Sequence, residues 1–551
     1  MATKNGSKAA APAKEVAPTI EAPVQAPDPI ATAYNAIPYQ SKPFAQSTPE
    51  QLAAMAKLFG LTPAPIATAR VLEIGCSAGG NIIPLAVRFP GVKAVGVDIS
   101  SVEIEQGQAQ LRELGIKNCE LVCADISKAV DQLKGPFDYI ICHGVFSWVP
   151  DSVRHAIMDV ARTRLAPDGV AYISYNVYPG WKFREVIRDM MMFHAGNLEE
   201  PVQRLGQAKA ILEYIKGITA EQSTYGKMLR DEAAIVSRVS DDYLQHEHLS
   251  HNNKPMYFRE FVQLAAEHKM AYLGEAYLSD MAPQRLGGQV YETLSKLSAG
   301  NILATEQYMD FFTNRTFRQT LLVHQDAAAR INRALGPASL KDMAFSTVLA
   351  ADATFKPVPG QAPLGKFGDT AGRSIAVNAA LPLAMIQTLV EARPYPVTFD
   401  DLARLSRAKV PQLEGAPAQA LTDALGTELL NLMLQNMVRV HLEPPAPPVS
   451  RDKPEASPLA RVQARQGQNW ATSVLHVPVG ISPGHQAVLS VLDGTRDIPA
   501  LEEELKARFK DGRLTAQRGN ERITDDAQLG QLAGAFVRQA LVELRQLGLL
   551  I

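Results

Sequence analysis

The sequence predicts a doubly wound α/β sheet near the front of the chain, then a mainly helical region and a mixed, winged-helix-like C-terminal region. Three observations carry this. Val71-Leu-Glu-Ile-Gly-Cys-Ser-Ala-Gly-Gly-Asn81 is an apolar strand running into a glycine turn and a helix. Ala94-Val-Gly-Val-Asp98 is a second strand, ending in an acid about 20 residues past the glycines, where such sheets hold a ribose. Strand and helix patterns then alternate as far as Tyr175, which implies right-handed crossovers and a largely parallel sheet.

Each element has a local reason. The stretch from Tyr34 to Phe44 is aromatic and proline-rich, hence extended. Thr48-Pro49-Glu50 caps a helix carrying Leu52, Met55, Ala56 and Phe59 at helical spacing. The first strand is expected over 70–74 and its helix over 81–88. A strand follows at 94–97, then a helix over 102–114 closed by Gly115. Strands are expected at 119–123 and 137–142, the second apolar enough to be buried on both faces. A helix over 152–165 ends at Pro167-Asp-Gly169 and leads into a strand at 169–175. Beyond Trp181 the period turns helical for about 150 residues, with few strand signals.

Bulk properties set the outer limits. A chain of 551 residues is too long for one core. We divide it into an Ala/Pro-rich tail (1–29), an α/β unit (30–196), a helical region (197–330) and a C-terminal region (331–551). The tail lacks an apolar core and is expected to be disordered. A net charge of −2 provides no overall field to draw nucleic acid or anionic lipid. No apolar run approaches the roughly 20 residues of a membrane span, so no membrane insertion is expected and the cytoplasm is the default location. All four cysteines lie in the first third and read as reduced thiols; Cys119 and Cys123 would be a metal half-site without a second half.

The C-terminal region suggests a degenerate repeat of helix, helix, long helix and strand. The first copy is expected at 383–391, 399–407, 421–436 and 438–442, the second at 486–492, 498–509, 527–547 and 549–551. That order is the plan of a winged helix. The stretch 421–436 has no Lys or Arg, so packing against protein is favoured over DNA reading.

The chemistry-bearing residues cluster at strand ends. Gly75 and Gly79, with Cys76 between them, would let the backbone approach a cofactor; Ser77 takes the place of the usual middle glycine. The Glu73-x-Gly75 start points to S-adenosylmethionine rather than a dinucleotide, with Glu73 as counter-charge to an ammonium. Asp98 would accept from both ribose hydroxyls. Asp125 would accept from the adenine amino group, between Ile99 and Ile126, and His143 would lie near the sulfonium. Beyond the fourth and fifth strands, Phe146, Trp148, Tyr175, Tyr178 and Trp181 would form an aromatic substrate rim. Tyr175, Tyr178, Trp181 and His143 are the candidates for work at the reacting atoms. His246-Glu247-His248 with His251 reads as a solvated helix end rather than a metal site.

Residues 34–181 resemble class I S-adenosylmethionine-dependent methyltransferases in Leu72–Asn81, Gly96-Val-Asp98, Asp125 and Phe137-Asp-Tyr139. The segments Tyr243–Leu249, Tyr257–Phe261, Tyr272–Ala276, Glu306–Phe311 and Asn314–Thr320 resemble the regulatory domain that follows such catalytic domains. Length and order are similar to the rickettsial-type outer-membrane-protein lysine methyltransferases. That resemblance implies S-adenosylmethionine, a protein lysine substrate and a homodimer. The alternatives are a small-molecule O- or N-methyltransferase and a non-catalytic cofactor-binding scaffold. The large non-catalytic portion favours a bulky substrate.

Overall fold

The computed structural model describes Asn35 and residues 40–551, apart from 240, 251, 414, 450 and 519–520. The expected tail, most of the stretch from Tyr34 to Tyr39, and His251 lie outside the described residues.

The centre is a seven-stranded sheet in the order β3-β2-β1-β4-β5-β7-β6. Its strands are β1 (Arg70–Ile74), β2 (Lys93–Asp98), β3 (Cys119–Cys123), β4 (Phe137–Cys142), β5 (Leu165–Asn176), β6 (Met270–Glu275) and β7 (Phe317–His324). The first five are parallel; β7 runs antiparallel to both β5 and β6. The order reverses at β1, between β2 and β4, so a crevice opens at the carboxyl ends of those strands. Alternation divides each strand between two cores. Tyr139, Ile141, Val170, Tyr172 and Leu321 face one side. Ile140, Cys142, Ile173, Tyr175 and Leu322 face the other.

Local signals fix the helices that flank this crevice. Thr48 caps the helix Pro49–Leu58 by accepting from the Gln51 amide at 3.2 Å. That helix is buried almost all round, because the sheet lies on one side and the strand Val438–His441 on the other. Ser100 caps Ser101–Leu114, and Gly115 ends it at φ +66.

The region 197–330 departs from expectation. It is helical over Pro201–Ile218, Thr224–Val236 and Asp241–Glu247. It then returns to the sheet and supplies β6 and β7, so it is not a separate helical region. β6 and the middle of β7 are buried and lack polar alternation, and β5, the partner of β7, is distant in sequence. A buried charge cluster fixes this closure. Arg318 of β7 reaches Glu275 of β6 at 2.6 Å, and Glu306 and Asp310 of the helix Ile302–Thr313 at 3.0 and 2.8 Å. Its guanidinium also lies 4.0 Å from the centre of the Phe258 ring.

Both C-terminal copies contain the expected helices: Ala380–Ala392, Phe399–Ala408 and Ala418–Leu434, then Pro483–Leu489, Ile498–Lys510 and Asp526–Gln546. The first copy closes on a three-stranded sheet in which Val438–His441 pairs with Ala344–Thr347. The second ends only in a bridge between Leu550 and Ala456. The helix Pro458–Arg465 seats this second unit on Ile83–Arg88 and Ser101–Leu114, beside the glycine turn.

Removing one partner of a buried ion cluster leaves the others uncompensated, at a cost of about 3–5 kcal/mol. Arg318→Met is therefore expected to lower the main thermal transition sharply. Arg330→Ala, which breaks a half-exposed pair with Asp168, should cost under about 1 kcal/mol. Differential scanning calorimetry of both variants checks this contrast.

Candidate active site

A cavity of about 760 Å³ occupies the crevice at the switch point. Of the residues expected there, Glu73, Gly75, Cys76, Asp98, Ile99, Asp125, Ile126 and His143 line it, as do Trp148 and Trp181.

The turn after β1 forms one end. Gly75 has φ +72, and a Cβ there would lie 2.2 Å from Val145 Cγ2, so a larger residue would strain the backbone and displace Val145. Gly79 (φ +79) shapes the turn without lining the cavity. Ser77 takes up the left-handed backbone of the glycine it replaces, at φ +48. Its amide then donates to Asp98 Oδ2 at 2.8 Å, while Ser100 donates to Oδ1 at 2.9 Å. Burial raises the Asp98 pKa against these donors. Each carboxylate oxygen keeps a further lone pair for a diol.

Glu73 is 3% exposed. Its Oε1 accepts from Asn81 Nδ2 at 2.7 Å, while Oε2 is buried without a partner among the described residues. Burial, more than the nearby Asp98, pushes its pKa up to about 8. An unsatisfied buried carboxylate oxygen at the cavity wall suits a cationic ligand group. Asp125 does a second job: it caps the turn Ile126–Ala129, with Oδ1 accepting from the Ser127 amide and hydroxyl at 2.9 and 2.6 Å.

The opposite end is aromatic. His143 packs on Phe44, ring centres 4.0 Å apart, and meets Phe317 edge-on at 6.3 Å. Burial lowers its pKa to about 4, so the ring is neutral at pH 7. The Tyr172 hydroxyl engages Nδ1 at 2.8 Å. Trp148 and Trp181 form an edge-to-face corner with centres 6.0 Å apart.

Other expectations are corrected. Tyr175 lies on the sheet face opposite Tyr172. It stacks on Phe261 at 3.9 Å, its hydroxyl is 3.2 Å from Thr320 Oγ1, and it does not line the cavity. Phe146 packs edge-on against the same two rings and is also core. The Tyr178 hydroxyl donates to Glu185 Oε1 at 2.5 Å, and this side chain too lies outside the cavity. His248 is not at a solvated helix end. It is buried with Nε2 2.8 Å from Glu232, while His246 and Glu247 line the cavity. Among the described residues, no three His, Cys, Asp or Glu side chains converge as metal ligands.

Sequence reasoning missed several contributors. Phe44, Asn81 and Asn176 line the cavity, as do Thr316, Phe317 and Gln319 from the start of β7. Asn81 sits in the quoted motif, and its polar side chain just past a glycine turn was an available signal. Phe317 comes from a strand that the sequence did not reveal.

A carboxyl whose folded pKa exceeds its unfolded value of about 4.5 loses stability as pH rises between the two. In the ligand-free protein, Glu73→Gln should therefore raise the melting temperature little near pH ~5 and most above pH ~8.5. Thermal scans of parent and variant across that range check the sign.

Comparisons agree with this geometry. Residues 71–169 match a family described as "Methyltransferase domain", 240–324 one described as "Predicted methyltransferase regulatory domain", and 452–549 one described as "PKMT, C-terminal winged helix domain". An uncharacterized protein of Rickettsia prowazekii is 32% identical over 502 residues, covering 90% of this chain and 89% of its own. PKMT2 from Rickettsia typhi superposes with a TM-score of 0.83 at 31% identity, over 93% of this chain and 100% of that one. Its complex with AdoHcy gives 0.82 at 30%, with the same coverage. The chain belongs to the family of these rickettsial proteins: S-adenosylmethionine-dependent methyltransferases with a Rossmann-like sheet, a regulatory domain and a C-terminal winged helix.

Proposed function

We propose that this methyltransferase acts on lysine side chains of protein. The observation that carries the reading is the make-up of the cavity: a polar cradle at the switch point shares it with an aromatic corner formed by Trp148 and Trp181. The PKMT name of its relatives, read as protein lysine methyltransferase, points the same way.

The cradle fits the cofactor by the free lone pairs of Asp98, the unpartnered Glu73 oxygen and the glycine at 75. When bound, S-adenosylmethionine supplies a methyl group activated by its sulfonium. The chain supplies alignment and exclusion of water. Glu73 would hold the ammonium and Asp98 the ribose, while Ile99, Ile126 and Asp125 would serve the adenine.

A lysine must lose its proton before it reacts, because its ordinary pKa is about 10.4. The walls formed by Trp148, Trp181 and Phe317 disfavour the ammonium by desolvation. The Trp148–Trp181 corner still accepts a methylated ammonium through its ring faces. His143 is too weak a base to keep the proton at pH 7. With Nδ1 on Tyr172, its Nε2 can orient the amine or pass the proton to water.

The helix Gly180–Ala195 presents Phe183, Val186 and Phe193 outward along one face, Phe193 at 93% exposure. We assign this face to a homodimer contact. Light scattering should give twice the chain mass for the parent, and Phe193→Asp should shift the equilibrium towards monomer.

Labelled-methyl transfer into a lysate, separated into protein and small molecules, tests the substrate. Label is expected in protein, and acetylation of the lysate's lysines beforehand, which turns each amine into a non-nucleophilic amide, should abolish it. Label in the small-molecule fraction, or label that survives the blocking, overturns the lysine reading. In the same assay, Trp148→Ala should lower the rate by about tenfold or more while AdoHcy affinity, measured by calorimetry, stays near the parent value.

A further inference from the structure

One residue of the winged-helix unit reaches the cofactor cradle. The strands Trp470–Thr472 and Pro478–Gly480 pair as a hairpin, and His476 sits in its turn. Ser473 shapes that turn: its carbonyl accepts from the His476 amide at 2.9 Å, and its hydroxyl accepts from the Leu475 amide at 3.2 Å. His476 is held at φ +58, in the left-handed region that few non-glycine residues enter. Its side chain is 8% exposed, with Nε2 2.9 Å from Asn81 Oδ1.

The orientation of the Asn81 amide follows from its neighbours. Oδ1 also accepts from the Phe44 amide at 2.8 Å, while Nδ2 donates to Glu73 Oε1 at 2.7 Å and to Ser47 Oγ at 3.1 Å. A flipped amide would set NH₂ against the Phe44 N–H and oxygen against the carboxylate. Oδ1 can only accept, so His476 carries its proton on Nε2. Burial keeps the ring neutral, with a pKa lowered to about 3.

We propose that His476 is a positioning residue of the methyltransferase site: through Asn81 it sets the Glu73 carboxylate so that its free oxygen meets the ammonium of S-adenosylmethionine. The winged helix is thereby part of the cofactor-binding machinery. Its seating next to the glycine turn gives the contact a fixed base, since Arg465 and Gln466 reach Glu113 at 3.1 and 3.2 Å. The inference rests on the reading of Glu73 as the ammonium acceptor. By linkage, filling the amino-acid half of the site also favours the seated winged helix.

The test uses two ligands on the full chain. AdoHcy carries the amino-acid group, and 5′-methylthioadenosine lacks it. Calorimetric titration of parent, Glu73→Gln, His476→Ala and His476→Gln separates the possibilities. Glu73→Gln and His476→Ala should each weaken AdoHcy by about tenfold and leave 5′-methylthioadenosine within about twofold. His476→Gln keeps an N–H at the reach of Nε2 and should recover most of the loss. His476→Asn tolerates the left-handed backbone but falls short of Asn81; it should behave like the alanine variant and replaces it if that variant does not fold. Parent-like AdoHcy binding by His476→Ala or His476→Asn, with Glu73→Gln weakened, overturns the role of His476 alone. Parent-like binding by Glu73→Gln overturns the reading of Glu73 beneath it. An equal loss of both ligands, not recovered by glutamine, marks a purely structural contact and also overturns the proposal.

Discussion

A carboxyl group buried at the end of β1, with one oxygen hydrogen-bonded and the other without a partner among the described residues, is the constraint around which this structure is arranged. Taking Glu73 out of water is costly, and a single amide donor from Asn81 does not repay it. A chain selected for stability alone would place an apolar residue there, as it does at Leu72 and Ile74 on either side. The group is tolerated because its surroundings are held from several directions. Asn81 is tied to the Phe44 backbone, to Ser47 and to His476, so segments distant in sequence converge on one amide. The polar end of the cavity is thus preorganised before any ligand arrives.

The same convergence explains what the sequence could and could not reveal. The βα alternation, the cap at Thr48 and the stop at Gly115 are local, and local patterns predict them with nearly the right ends. The residues of the glycine turn and of the β2 and β3 tips are equally local, and they meet at the cavity. Strands β6 and β7 were not legible, because their pairing with β5 depends on chain that returns after a long helical excursion.

Tyr175 illustrates a finer limit. An aromatic residue at the end of a strand can serve the site or the core, and the choice depends on parity. Tyr172 and Tyr175 differ by an odd number of positions and so project to opposite faces. One supports His143, and the other stacks on Phe261. Asp125 shows that a cap and a cavity wall can be one residue. For His248, a buried partner on another helix, Glu232, overrode a reading made from spacing alone.

The appended regions are therefore not accessories hung on a finished enzyme. The match to the regulatory domain spans β6 and β7, so that segment completes the catalytic sheet and brings Phe317 and Gln319 to the cavity. Arg318 lies between those two residues, and the charge cluster that closes the sheet is thus in register with the cavity wall. The winged-helix plan departs equally from its familiar use. A DNA reader needs a basic helix free to enter a groove. Here the helix Ala418–Leu434 contains neither Lys nor Arg, and the second copy sits against the glycine turn. Packing is what this arrangement of helices supplies, within one amide's reach of the buried carboxyl group.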